Sequence, residues 1–203
     1  MKPVFRRAVA IVLLLVLPAG SLFAYRLLYR EQLYRLYHRH FTETPERVTE
    51  NIYWLEQALR SDFANPLNAL AVVENEREWE WYRHLFTMHI NLRLVDLYLR
   101  WGALYMKHEA YFYNAPWRDD NIESLDRAEE RFRYALHYWE AAQRASREVA
   151  DTRFLHLEEI QSWEDEHHRI RTGDLDYGAI IDRHLDRVAE VRAAFAAMDG
   201  TTY

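Results

Sequence analysis

Glycine and proline each occur only five times in 203 residues, and this scarcity of chain-reversing residues does most to limit the fold. A protein of many strands needs a turn every few residues, so the composition points to helices joined by few connections. Half of the residues are apolar and aromatics reach 15%, with 14 Tyr and 7 Trp. That supports one compact domain with a real core plus a short appendage.

The formal charge of -6 is unevenly divided. Residues 1–40 hold seven Lys/Arg and one Glu, a charge of +6, which leaves -12 for residues 41–203. An acidic body does not suit a phosphate backbone, so no nucleic-acid partner is expected. Cysteine is absent, which removes disulfides, thiolate metal sites, a cysteine nucleophile and a lipid-modified cysteine. Any membrane attachment has to be made by the polypeptide.

The N-terminus offers such an attachment. Lys2, Arg6 and Arg7 precede a run from Ala8 to Tyr25 that carries no charge and includes Ile11 through Leu17. Two readings stand: a cleaved secretory signal with small residues at Ala19-Gly20-Ser21, or an uncleaved signal anchor of about 18–20 residues, enough to span hydrocarbon. The anchor is favoured, because Leu22 is bulky at the third position before a cut after Ala24. Beyond it Tyr25, Tyr29, Tyr34 and Tyr37 interleave with Arg26, Arg30, Arg35 and Arg39. That pattern fits an interfacial belt, and it equally fits an amphipathic helix packed on the domain. Flanking positive charges nearly balance, while the order of basic residues, apolar run and small residues favours an extracytoplasmic body.

Further along, Thr44-Pro45-Glu46 has the form of a helix start, with Thr44 as N-cap. The helix it predicts runs to about Arg60 with Val48, Ile52, Leu55 and Leu59 on its apolar face. Asn65-Pro66 repeats the signal before a long apolar-periodic stretch to Tyr105, read as one helix or as two broken near Glu74 to Glu78. Asn114 to Trp117 is a turn, and Asp119-Asp120-Asn121 caps a helix to about Glu148. Asp151 opens another that Gly173 ends, and Asp174 or Asp176 opens the last, to about Met198. Connections this short predict antiparallel hairpins.

Ala128-x3-Phe132-x2-Ala135 has the small-large-small pattern of the second helix of a tetratricopeptide repeat, and Trp101-Gly102-x2-Tyr105 resembles the first-helix pattern. Gly102 and Ala128 are 26 residues apart, against about 12 in a repeat of about 34 residues, so an insertion over Lys107 to Asp120 is implied. A generic helical bundle remains the alternative. The run Phe63-Ala64-Asn65-Pro66-Leu67, taken with Tyr111-Phe112-Tyr113-Asn114-Ala115-Pro116-Trp117, resembles spirochaete tetratricopeptide-type membrane-associated proteins. Some of those are collar components around periplasmic flagellar motors, and the resemblance implies a protein-docking role.

Tyr111, Phe112, Tyr113 and Trp117 place four aromatics in a turn where helix periodicity does not require them. They are the candidate partner-binding residues, with a turn folded over its own hairpin as the alternative. Among the ten His, Glu164-x2-His167 has the spacing of a carboxylate-bridged metal bundle, but such a centre needs two copies. No metal, cofactor or catalytic residue is expected, and His167-His168 are expected to be exposed. Glu78 and Glu80, beside Trp79 and Trp81, read as an exposed helix turn.

The sequence thus predicts an all-α, tetratricopeptide-like chain: an N-terminal membrane helix followed by antiparallel helical hairpins. Its parts are a signal anchor or signal peptide at 1–28, a basic aromatic stem at 29–43 and a helical domain at 44–200. The expected role is a scaffold, not an enzyme. It would sit in the inner membrane by a single pass through residues 8–28, with a periplasmic body docking other proteins of a membrane-associated assembly. Homo-oligomerisation stays open, and the alternative is a helical-bundle ligand- or metal-binding protein or enzyme.

Overall fold

The structure, a computed structural model, describes residues 29–106, 115–149 and 160–201. The apolar segment 8–28, the aromatics Tyr111, Phe112 and Tyr113, and the helix start at Asp151 lie outside the described residues. Within them the chain is all-α, with helices α1 (Arg30–Glu43), α2 (Val48–Arg60), α3 (Glu76–Ala103), α4 (Arg118–Arg147), α5 (Gln161–Thr172) and α6 (Tyr177–Ala196). Single 3-10 turns occupy Pro66–Asn68 and Ala115–Trp117. Among the described residues no helix is long and apolar enough to cross a membrane.

α3 is the axis. Between Leu85 and Tyr98 it buries Leu85, Phe86, Met88, Ile90, Leu92, Leu94, Val95, Leu97 and Tyr98, which point in every direction around the helix. A helix apolar all round has to be enclosed by its neighbours. By contrast, α4 buries Asn121, Leu125, Ala128, Phe132, Ala135, Trp139, Ala142 and Ser146, spaced alternately four and three apart. Such a stripe covers one face and leaves the other to solvent.

Paired side chains fix the directions. Tyr98 stacks on Tyr134 and Tyr138, the Arg131 guanidinium lies over Trp101, and the Ser124 hydroxyl donates to the Tyr105 carbonyl. Residue numbers rise on one helix as they fall on the other, so α3 and α4 are antiparallel. α6 packs on the same buried stripe of α4, also antiparallel, through Trp139 with Tyr177 and Phe132 with His184. α1 and α5 run parallel to α3: Arg30 reaches Thr87 while Arg100 lies over Phe41, and Phe86 stacks on Trp163 while His89 meets Glu166.

Several boundaries differ from those expected. Thr44 does not open a helix; its N–H donates to the His40 carbonyl at 2.7 Å and closes α1, and α2 begins at Val48. The long stretch from Leu67 begins as helix only at Glu76, where the Asn75 side chain accepts from the Glu78 N–H at 3.0 Å. Glu78 is buried and reaches back to Asn75 Nδ2 and the Glu74 N–H. It is therefore a capping residue rather than part of an exposed turn. α4 starts at Arg118, so Asp119 and Asp120 sit in its first turn, where negative charge suits the helix dipole. The last two boundaries match expectation: Gly173, at φ 82, ends α5, and Asp176 caps α6 by accepting from the Ala179 N–H. A positive φ at Gly173 is the conformation that a residue without Cβ adopts freely.

The segment read as a stem is part of the body. Leu33 and Tyr37 are buried, and Tyr34 packs edge-on against Phe86 and Trp163, so these two tyrosines are core residues and not a lipid-facing belt. Residues 29–31 weld the start of α1 to the end of α2. The Arg30 N–H donates to the Asp62 carbonyl at 2.8 Å, and its guanidinium donates to the carbonyls of Ala58, Leu59 and Ser61. A cation over unsatisfied carbonyls is a favourable end for a helix. Glu31, 1% exposed, accepts from the Ala64 N–H.

Candidate docking surface

The six residues singled out for repeat packing meet where α3, α4 and α6 converge. Gly102 is buried in the last turn of α3, and a Cβ placed there would lie 2.4, 2.7 and 2.9 Å from three ring atoms of Phe132. Only glycine permits this approach. The Phe132 ring stacks on His184 of α6 at 4.7 Å between centroids, and Ala128 and Ala135, fully buried, flank it on α4. Trp101 and Tyr105 join the contact through Arg131 and Ser124. The large aromatic thus fills the gap between helices that small residues draw together. The long separation of Gly102 from Ala128 also has a physical source. Because Trp101 lies level with Arg131, the first turns of α4 extend past the end of α3, and part of the spacing is helix; the rest is the connection between α3 and α4, most of which lies outside the described residues.

Those overhanging turns bound an open groove of about 430 Å³, lined by Leu104, Tyr105, Trp117, Asp120, Asn121, Glu123, Ser124 and Arg127. Leu104 is 71% exposed and Trp117 42%. Two large apolar side chains therefore border a concavity with polar walls, the composition of a protein-contact patch. Of the four aromatics expected to bind a partner, Trp117 is the one the structure describes.

A second feature was not anticipated. His89, in the apolar run of α3, bonds through Nδ1 to Glu166 Oε2 at 2.7 Å and through Nε2 to the Tyr34 hydroxyl at 2.8 Å. Arg93 donates to the other Glu166 oxygen at 2.7 Å and lies beside Asp96, which accepts from the Tyr177 hydroxyl. A neutral imidazole satisfies both partners: Nδ1–H donates to the carboxylate and Nε2 accepts from the phenol, an assignment made from the network. Burial holds the His89 pKa below its ordinary value even with Glu166 alongside. Burial also pushes the Tyr34 phenol well above its ordinary range, the opposite of an activated nucleophile. The relay ties α1, α3, α5 and α6 together, and its chemistry is that of a buried latch.

His167, expected on the surface, is buried, with Nδ1 at 2.8 Å from the Ser146 hydroxyl, and Glu164 is buried beside it. Among the described residues no group of three or more His, Asp or Glu forms a metal-binding cluster. The local pattern Glu164-x2-His167 therefore marks a helix face turned into the core. His89 was findable only as a lone imidazole within an apolar stretch; its partner Glu166 is far away in sequence.

Comparison with curated proteins and with solved structures returns no match. A family described as Domain of unknown function (DUF8513) matches residues 77–198, which run from the first turn of α3 to just past α6 and include the Gly102–Phe132 contact, the groove and all of the relay except Tyr34. α1, α2 and the loop after them precede the matched region. Since the match takes in more than half of the chain, this protein belongs to the DUF8513 family.

Proposed function

We propose that this protein is a membrane-tethered docking scaffold. Residues 8–28 hold it in the inner membrane by a single pass, with the body on the periplasmic side, and tetratricopeptide-like packing of α3 against α4 presents a surface to other proteins of a membrane-associated assembly. A flagellar motor collar is one assembly of that kind. The observation that carries the reading is the groove where Leu104 and Trp117 stand exposed beside polar walls at the end of the α3–α4 hairpin. Aromatic side chains at the centre of a patch contribute most of the affinity in protein contacts.

The test is affinity capture of the full chain from detergent-solubilised native membranes, wild type against Trp117→Ala. The reading expects a reproducible partner whose recovery falls several-fold in the variant while helicity and melting stay unchanged. Absence of any reproducible partner counts against it, and a parallel loss of melting temperature makes Trp117 a core residue instead.

A further inference from the structure

We infer that the loop between α2 and α3 is a second membrane contact, with Leu67 and Val72 seated in the interfacial layer of the bilayer that residues 8–28 enter. This rests on the tether reading above.

The first observation is the loop itself. From Ala64 to Val73 the chain carries no charge and reads Ala-Asn-Pro-Leu-Asn-Ala-Leu-Ala-Val-Val, whereas surface loops are normally polar. Leu67 is 94% exposed and Val72 61%. A lone exposed leucine needs no explanation, but several apolar side chains in one uncharged surface segment do. The loop is also held in shape. Phe63 packs on Trp79 and Tyr82, the Tyr82 hydroxyl accepts from the Leu70 N–H at 3.1 Å, and Ala71 is buried. Its exposed leucine and valine are presented on a fixed base.

The second observation is place. The chain enters the body at Tyr29, immediately after residues 8–28, and that point is bonded to the start of the loop: Arg30 to Asp62, and Glu31 to Ala64. Arg30 lies level with Thr87, so the turns of α3 from Glu76 to Phe86 extend about 16 Å beyond the start of α1. The loop runs alongside that extension. A bilayer reached through residues 8–28 therefore meets this end of the body first.

Place selects lipid as the occupant, because the loop is bonded to the point where the chain leaves residues 8–28. Around the loop the exposed Asp62, Glu74, Glu76 and Glu80 outnumber the exposed Arg60 and Arg77, so the surroundings carry no net attraction for acidic headgroups. The contact is apolar, and it should form on zwitterionic lipid.

Because the chain has no cysteine, single labels can be placed at will. Nitroxide-labelled Leu15→Cys, Leu67→Cys and Leu104→Cys full-length chains are reconstituted in phosphatidylcholine vesicles. Depth is read as the ratio of collisions with oxygen to collisions with a water-soluble nickel chelate. The ratio at position 67 is expected to exceed that at position 104 several-fold, to approach that at position 15, and not to depend on added anionic lipid. An apolar environment at 15 with 67 matching 104 overturns the loop contact alone and leaves the surface to a protein. An aqueous environment at 15 overturns the tether reading, and the loop contact with it.

Discussion

Replacing Gly102 by alanine probes the helix junction directly. The new Cβ would fall within 2.4–2.9 Å of the Phe132 ring, well inside van der Waals contact. The ring has little room to retreat, since His184 stacks on it and Phe132 itself is fully buried. Overpacking of this kind costs about 1–3 kcal/mol. Alanine regains at most about 1 kcal/mol of helix propensity, and less here because α3 ends one residue later. The net expectation is a loss of roughly 1–2 kcal/mol, from the difference between those two effects, or about 2–8 °C in melting temperature for a chain of this size. Far-UV circular dichroism of the full chain in detergent micelles measures it. A second background isolates the cause: with Phe132→Leu in place the ring is gone, so Gly102→Ala should cost little or become stabilising, and the cycle should return a coupling of about 1–3 kcal/mol. If Gly102→Ala melts at or above wild type, the close approach of α3 to α4 is wrong.

Three further outcomes are expected. The His89 pKa is lowered on folding by burial, so just below the unfolded value of about 6.5 the unfolded chain binds more protons; stability is then complete above about pH 6.5 and falls as pH drops toward the folded pKa. His167 and His184, also lowered by burial, act in the same direction; a melting temperature that holds steady or rises between about pH 7 and about pH 5 would contradict the assignment. Arg30→Met removes the donors to the carbonyls of Ala58, Leu59 and Ser61 and should cost about 1.5–3 kcal/mol, with faster amide exchange concentrated in α1 and the end of α2. Exchange rates in α1 equal to wild type would mean that the weld is not holding it. Finally, zinc or manganese added to the metal-stripped protein should leave melting unchanged, and a saturable rise at one equivalent would favour the metal-binding alternative.

What the sequence made legible was local. The low glycine and proline content and the period of Val48, Ile52 and Leu55 lead to helices and to the buried face of α2, and the glycine at 173 and the aspartate at 176 mark ends correctly because each acts on its own backbone. Thr44-Pro45-Glu46 misled because a threonine and a proline suit a turn after α1 as well as a cap before α2. The tyrosines of α1 have a spacing compatible with lipid or with a packed helix. Only the presence of Phe86 and Trp163 decides for the core, and those neighbours lie far along the chain. The same holds for His89 and His167, whose burial depends on Glu166 and on Ser146 across helix interfaces. The Gly102–Phe132 contact was half legible: both residues form a recognisable pattern, while the insertion expected over Lys107 to Asp120 falls mostly outside the described residues. Leu67 and Leu104 stood out in neither composition nor period, because exposure is a property of the folded surface.

The central claim is that the end of the α3–α4 hairpin docks another protein while the chain is held at a membrane. Photo-crosslinking in intact cells tests it most directly, with a photoreactive residue placed at Leu104 or, as a control on an exposed position of α2, at Tyr53. The account predicts a crosslink to a different, membrane-associated protein from position 104 and none from position 53, with the 104 product lost in a Trp117→Ala background. No product from position 104, or the same products from both positions, would contradict it.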